Sequence, residues 1–171
     1  MKNLIKSVWA LLLACIVSMG MTSCADAEDG ESWGDWEFRN AINCGKLTEW
    51  SLNKVKEANG EWGDPYRADV PLFRVQFFAS DHNFHSTKGS WIWVKDNEGN
   101  GEWRADEAAM EEYKPADNTA FTVDSKTLTI EATVDGAKYF RIVLDKQPTS
   151  VMEGKLHFYK ENKTYEVQLI R

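Results

Sequence analysis

Apolar and polar residues alternate over most of the second half of the chain. In residues 127–134 (TLTIEATV) every second position is apolar, and threonine or glutamate stands between. Similar alternation occurs in residues 72–79, 139–144, 155–160 and 164–171. A period of two predicts β-strands with one buried face and one solvated face.

Short polar segments separate these runs. Asp135-Gly136 joins two alternating runs and predicts a tight hairpin, because primed turns require positive φ. Residues 124–126 and 161–163 predict two further hairpins, and residues 80–83 predict a turn. The C-terminal half is therefore predicted to be a sequential antiparallel meander.

The first half of the chain is less regular. Residues 47–55 (LTEWSLNKV) predict a strand with Trp50 and Leu52 pointing inward, and residues 58–71 predict a long loop. Residues 106–113 predict one or two helical turns with the initial aspartate, Asp106, as a cap. About eight short strands and one helix favour an all-β closed barrel, with a β-sandwich as the alternative. A barrel also removes the exposed edges of a long meander.

The N-terminus has the pattern of a secretory signal. Lys2 and Lys6 precede a nearly continuous apolar run, residues 8–21, and two small polar residues follow it. This order of charged, apolar and cleavage regions predicts a signal peptide over residues 1–23. The apolar run has 14 residues, whereas a membrane-spanning helix needs about 20.

The stretch Met21-Thr22-Ser23-Cys24 resembles the lipobox of bacterial lipoproteins, with methionine at the usual leucine position. The resemblance implies cleavage before Cys24 and acylation of Cys24, which would anchor the protein in a membrane through several acyl chains. Residues 24–35 are rich in acidic and small residues and predict a solvated tether. Acids behind the cysteine also resemble the surface-export signal of Bacteroidetes lipoproteins. An outer-membrane lipoprotein is expected, facing either the cell surface or the periplasm.

The net charge argues against one class of binding partner, and the cysteine content limits the possible disulfides. The chain has a net charge of −7, which becomes −9 once Lys2 and Lys6 leave with the signal. This charge argues against nucleic-acid binding, which depends on Lys and Arg neutralising phosphates. With Cys15 in the signal and Cys24 acylated, Cys44 would be alone, so we expect a buried free thiol and no internal disulfide.

Four segments resemble the lipocalin-like domains of small Bacteroidetes lipoproteins. They are residues 47–55, 75–81, 121–130 and 139–142, in that order along the chain. The resemblance implies a lipocalin-like barrel domain over residues 36–171, with an inward tryptophan on its first strand.

Two tryptophans could be this inward-pointing residue of the first strand. Trp50 lies in the predicted first strand, whereas Gly34-Asp35-Trp36 fits the glycine-x-tryptophan motif of true lipocalins. The chain ends at Arg171, which shares strand parity with the apolar residues Val167 and Leu169. A guanidinium there needs a partner, and an aromatic face is a favourable one. We expect Arg171 to close the barrel bottom over Trp50 or Trp36.

Four aromatic residues are candidates for ligand binding. Trp91 and Trp93 share one face of residues 90–94, and Trp62 and Tyr66 lie in the predicted long loop. Their rings combine apolar area with a polar group, which suits a small amphiphilic ligand or a glycan. Core packing is the alternative for Trp91 and Trp93, since barrels of about eight strands hold one small ligand or fill completely.

The sequence offers little for catalysis or metal binding. His82 and His85 are three residues apart, but they flank a turn and have no evident third ligand. No nucleophile elbow or phosphate loop is present. We therefore expect no enzyme, metal or cofactor. Two functions remain open: a lipid-anchored binding module for a small hydrophobic molecule or oligosaccharide, and a structural or protein-interaction module with a filled barrel.

Overall fold

The computed structural model describes residues 30–43, 48–67, 69–78 and 81–171. The predicted signal (1–23), the predicted lipidation site Cys24 and Cys44 lie outside the described residues. Among the described residues, no helix is both long enough and apolar enough to cross a membrane.

In the described part of the chain, one α-helix precedes a series of antiparallel strands. The helix α1 spans Trp33–Asn43, and two single-turn 3-10 helices span Glu107–Ala109 and Pro115–Asp117. The strands are β1 (Thr48–Lys56), β2 (Trp62–Gly63), β3 (Leu72–Phe77), β4 (Phe84–Gly89), β5 (Trp91–Lys95), β6 (Gly101–Ala105), β7 (Glu111–Tyr113), β8 (Thr119–Asp124), β9 (Thr129–Val134), β10 (Ala137–Leu144), β11 (Val151–Phe158) and β12 (Lys163–Ile170).

Nine of these strands form one sheet in the order β7-β4-β3-β1-β12-β11-β10-β9-β8, and β2 pairs with β1. The sheet curls until β8 meets the beginning of β4. Phe121 N donates to His82 O at 2.7 Å, and Thr119 Oγ1 donates to Phe84 O at 2.7 Å. The predicted all-β, lipocalin-like barrel is thus confirmed as a nearly closed antiparallel barrel. One continuous sheet forms it, unlike the alternative two-sheet sandwich.

The predicted alternation matches the observed burial. Ile130 and Ala132 are buried on β9 while the residues between them are only partly covered. The turn at Asp135-Gly136 has φ values of 50° and 77°, as the primed hairpin requires. The order of hairpins from β8 to β12 is the predicted meander.

Aromatic rings from opposite walls fill the barrel interior. Phe73 on β3 lies 5.2 Å from Phe140 on β10 and 5.3 Å from Phe158 on β11, measured between ring centroids. Phe77 on β3 lies 4.9 Å from Phe121 on β8. Side chains that touch across the full width of a barrel make a packed core.

The helix α1 was not predicted, and it takes the place of a strand at Gly34-Asp35-Trp36. It also includes residues 33–35, which the sequence had placed in the tether. Its apolar side, Phe38 and Ile42, is fully buried, so α1 belongs to the core. The first strand is therefore β1, and its inward tryptophan is Trp50, which is fully buried.

Three further segments differ from prediction. The predicted loop 58–71 contains β2, which pairs with β1. Residues 106–113 hold one 3-10 turn, capped as predicted by the Asp106 side chain, followed by β7. The strand β5 leaves the barrel and pairs only with β6 in a separate hairpin.

Candidate functional site

The bottom of the barrel is sealed by α1 and by the last residue of the chain. The guanidinium of Arg171 lies 5.2 Å from the centroid of the Trp50 ring, so its aromatic partner is Trp50 and not Trp36. Trp36 instead stacks on Trp33 at 4.4 Å. Arg171 remains exposed to solvent, so it covers the barrel from outside and does not enter the core.

Tyr66 and Trp91 come together on the outer wall of the barrel. Their ring centroids are 4.8 Å apart in an edge-to-face arrangement with an interplanar angle of 66°. They line a groove of about 250 Å³. The floor and sides of the groove are formed by Ser51, Leu52, Asn53, Pro65, Leu72, Phe73, Arg74 and Ile170.

The two rings are positioned by segments that pack on the barrel from outside. Trp91 begins β5, two residues after β4 ends at the barrel edge. Tyr66 lies in the segment between β2 and β3, where Arg67 pairs with Glu57 and Asp69. The indole N–H of Trp91 is covered and has no hydrogen-bond acceptor among the described residues. The contact of Trp91 with the groove is therefore through its ring and not through the indole N–H.

Polar side chains of the sheet's outer face complete the groove. Arg74 points outward, because its neighbours Phe73 and Val75 are buried. Ser51 stands directly opposite Arg74 on β1. The Asn53 amide donates to Gln168 Oε1 at 2.8 Å, which holds it in place. The groove thus combines aromatic rings, one cation and hydrogen-bonding groups.

The other two aromatic candidates lie elsewhere. Trp62 is on β2, with Lys56 Nζ 5.9 Å from its ring centroid. Trp93 packs edge-to-face against Trp103 across the β5–β6 hairpin at 5.3 Å, and 49% of its surface is exposed. The structure therefore brings together two of the four candidates, Tyr66 and Trp91.

Sequence reasoning did not identify Arg74 as a site residue. The available signal was its position between the apolar residues Phe73 and Val75, which an alternating strand would bury while Arg74 points outward. It also did not identify Lys88, which points into the barrel with only 9% exposure. Lys88 pairs with Glu161 at 2.6 Å and lies 4.2 Å from the centroid of Phe158. The charge of Lys88 thus has a partner within the protein.

Near Lys88, the hydroxyls of Ser86 and Tyr139 are buried, and neither makes a hydrogen bond of good geometry within the described residues. Burial raises the pKa of Tyr139 well above its ordinary value, and the charge of Glu111 adds to the effect, although Ser86 is close enough to lower the pKa of Tyr139 slightly. Tyr139 therefore stays neutral at physiological pH. Its ring packs against Tyr113 at 4.7 Å.

His82 and His85 contact different residues. His82 stacks on Phe121 at 5.5 Å, whereas His85 Nε2 lies 3.0 Å from Glu112 Oε1. Within the described ranges, no group of three or more His, Cys, Asp or Glu side chains could hold a metal ion.

Comparison with known proteins identifies no relative of this chain. No protein-family model matches the chain, and no curated protein or solved structure matches it either.

Proposed function

We propose that this protein is a lipid-anchored envelope lipoprotein whose barrel is a rigid support for a saccharide-binding groove on its outer wall. The observation that carries the binding role is the Tyr66–Trp91 pair, whose rings line a groove with adjoining polar groups. Tyrosine and tryptophan provide apolar faces that tolerate water at their edges. A sugar ring has the same mixture of apolar faces and polar edges.

The filled interior supports an external site. Phe73 contacts rings of both β10 and β11 across the barrel, so a hydrophobic ligand would have to displace packed aromatic side chains. The outer groove, at about 250 Å³, is slightly below the roughly 300–1,000 Å³ of typical small-molecule pockets. That volume suits one or two sugar rings better than a lipid.

Titration of the purified protein with neutral oligosaccharides tests this proposal. We expect quenching or a shift of tryptophan fluorescence in the unmodified protein. Trp91→Ala and Tyr66→Ala should each weaken binding about fivefold or more, since loss of one aromatic contact costs on the order of 1 kcal/mol. Trp93→Ala is the matched control, because Trp93 lies outside the groove. Equal losses in the Trp91 and Trp93 variants would contradict the assignment of the groove.

The anchor and location rest on the N-terminal pattern. The lipobox-like Met21-Thr22-Ser23-Cys24 supports acylation of Cys24, and the acids that follow support export to the cell surface. Metabolic labelling with a fatty acid should label the unmodified protein and not Cys24→Ala. Digestion of intact cells with an added protease should degrade a surface-facing protein and spare a periplasmic one.

A protein-interaction module is the second candidate function. The β5–β6 hairpin projects from the barrel with Ile92 and Trp93 exposed by 41% and 49%. These two neighbours in β5 point to opposite faces of the hairpin, and a partner that clasped the hairpin would cover both apolar side chains. If Ile92→Ser and Trp93→Ser abolish co-purification of an envelope protein while saccharide titrations show no response, the interaction role is favoured.

A further inference from the structure

We infer that the ligand of the outer groove is an acidic saccharide, and that Arg74 binds its carboxylate. This inference rests on the proposed saccharide function and specifies the class of sugar. It is carried by the position of Arg74 in the groove, by the absence of a partner for its guanidinium among the described residues, and by the engagement of the surrounding acids.

Arg74 differs from most arginines of the described chain in having no partner. Arg39 pairs with Glu31, Arg67 with Glu57, and Arg104 with Glu102. Within the described residues, the Arg74 side chain makes no hydrogen bond or ion pair. An uncommitted guanidinium beside aromatic rings is available for a ligand.

The acids nearest to Arg74 in the sheet are already engaged. Glu49 lies diagonally across β1 and accepts hydrogen bonds from Ser51 Oγ at 3.2 Å and Gln76 Nε2 at 3.4 Å. Glu112 lies two strands away on β7, where it pairs with His85 at 3.0 Å and Lys114 at 3.7 Å. Neither carboxylate neutralises Arg74, although acidic residues outnumber basic ones in the chain.

The chemistry of the groove selects a sugar carboxylate. A guanidinium presents paired N–H donors that match a carboxylate in a bidentate geometry. The Tyr66 and Trp91 rings line the same groove, so one ligand can place its ring on an aromatic face and its carboxylate on Arg74. Ser51 stands opposite Arg74 and supplies a hydroxyl to a neighbouring sugar oxygen. A uronic acid carries all three features on one ring.

The test compares tri-galacturonate with its methyl ester in calorimetric titrations of the purified protein. Esterification removes the negative charge and keeps the sugar rings. We expect the acid form to bind at least about tenfold more tightly than the ester, because hydrogen bonds to charged groups contribute roughly 1.5–3 kcal/mol. Arg74→Gln should reduce the affinity for the acid at least about tenfold and remove most of the difference in affinity between the acid and the ester.

Two control variants refine the result. Arg74→Lys keeps the charge without the bidentate geometry and should bind the acid with intermediate affinity. Arg141→Gln removes an exposed arginine from β10, away from the groove, and should change neither affinity. A general electrostatic effect would instead make Arg141→Gln as harmful as Arg74→Gln.

The outcomes separate this inference from the proposed function. Equal affinity for acid and ester in the unmodified protein, or no effect of Arg74→Gln on the acid, would overturn the role of Arg74 while leaving saccharide binding intact. If neither form binds, and neutral oligosaccharides also fail to bind, the saccharide function itself is refuted.

Discussion

The guanidinium of Arg171 lies 5.2 Å from the centroid of the Trp50 ring, and its Nη1 donates to the carbonyl of Ala41 at 3.2 Å. The Trp50 indole donates to the neighbouring carbonyl of Ile42 at 2.8 Å. Both carbonyls belong to the last turn of α1, where helix carbonyls lack partners inside the helix. The last turn of α1 therefore binds both Trp50 on β1 and Arg171, and these two residues also contact each other.

Removing the Arg171 side chain should loosen this junction. We expect Arg171→Ala to lower the free energy of unfolding by about 1–2 kcal/mol, through loss of the cation–π contact and the hydrogen bond. Urea denaturation measures the change. Arg171→Lys retains a cation and should lose less. An unchanged denaturation midpoint in Arg171→Ala would show that the contact contributes nothing to stability.

Asp35 ties the start of α1 to the barrel. Its Oδ2 accepts a hydrogen bond from Ser32 Oγ at 2.6 Å, and its Oδ1 accepts one from Ser125 N at 2.7 Å. The bond to Ser32 and then the bond to Ser125 lower the pKa of Asp35. Both bonds favour the charged carboxylate.

A lowered pKa means that Asp35 stabilises the fold at pH values above its unfolded-state pKa, near 3.9. This contribution should disappear as the pH falls from about 5 through the lowered pKa of the folded state. Asp35→Asn should therefore be less stable than the unmodified protein at pH 7, with the difference shrinking below pH 4. Thermal melts between pH 2.5 and 7 measure it. Glu37→Gln, an exposed change on the same helix, is the control for the loss of a surface carboxylate.

Phe140 lies at the centre of the aromatic core, 5.2 Å from Phe73 and 5.4 Å from Phe84. Phe140→Ala should lower the free energy of unfolding by about 3–5 kcal/mol, because surrounding rings from three strands cannot collapse into the space. Ile92→Ala, an exposed apolar change, should stay within about 0.5 kcal/mol.

The same variant tests whether the barrel is filled. An apolar cavity left by Phe140→Ala should bind benzene, as engineered dry cavities do. Benzene should then raise the melting temperature of Phe140→Ala and leave the unmodified protein unaffected. Stabilisation of the unmodified protein by benzene would reveal an existing interior cavity and contradict the packed core.

Gly154 permits close pairing of β10 and β11. A Cβ at this position would collide with the carbonyl oxygen of Val143 and the Cα of Leu144. Because backbone atoms cannot move aside cheaply, Gly154→Ala should cost about 1–3 kcal/mol. Lys155→Ala, at the next and exposed position, should cost under about 0.5 kcal/mol. Chemical denaturation of both variants checks this, and equal stabilities would count against a steric role for Gly154.

The helix α1 shows how much of the fold could be predicted from local sequence patterns. Ser32 and Asp35 have the spacing of a capping box, and Phe38 and Ile42 are four residues apart on one helical face. These signals were present in the sequence. However, an isolated helix of 11 residues is only marginally stable in water, so its existence depends on burying Phe38 and Ile42 against the barrel.

The aromatic site could be predicted only in part. Sequence reasoning selected Tyr66 and Trp91, along with Trp62 and Trp93, from their composition and spacing. It could not separate them, because β5 is apolar on both faces, as a strand covered on both sides would be, and yet it pairs only with β6. Arg74 became a site residue only when the segment carrying Tyr66 and the start of β5 were placed over its face of β3.

The sequence by itself determined the strands from β8 to β12, three of the hairpins that join them, at residues 124–126, 135–136 and 161–163, and the faces that the strands bury. Alternation and turn geometry act over a few neighbouring residues, so a local pattern is enough to indicate them. The tertiary structure alone decided that α1 seals the barrel, that rings from opposite walls fill it, and that Tyr66, Trp91 and Arg74 share one groove. Those relationships join residues far apart in the chain. Their energy comes from packing and burial, which no local pattern records.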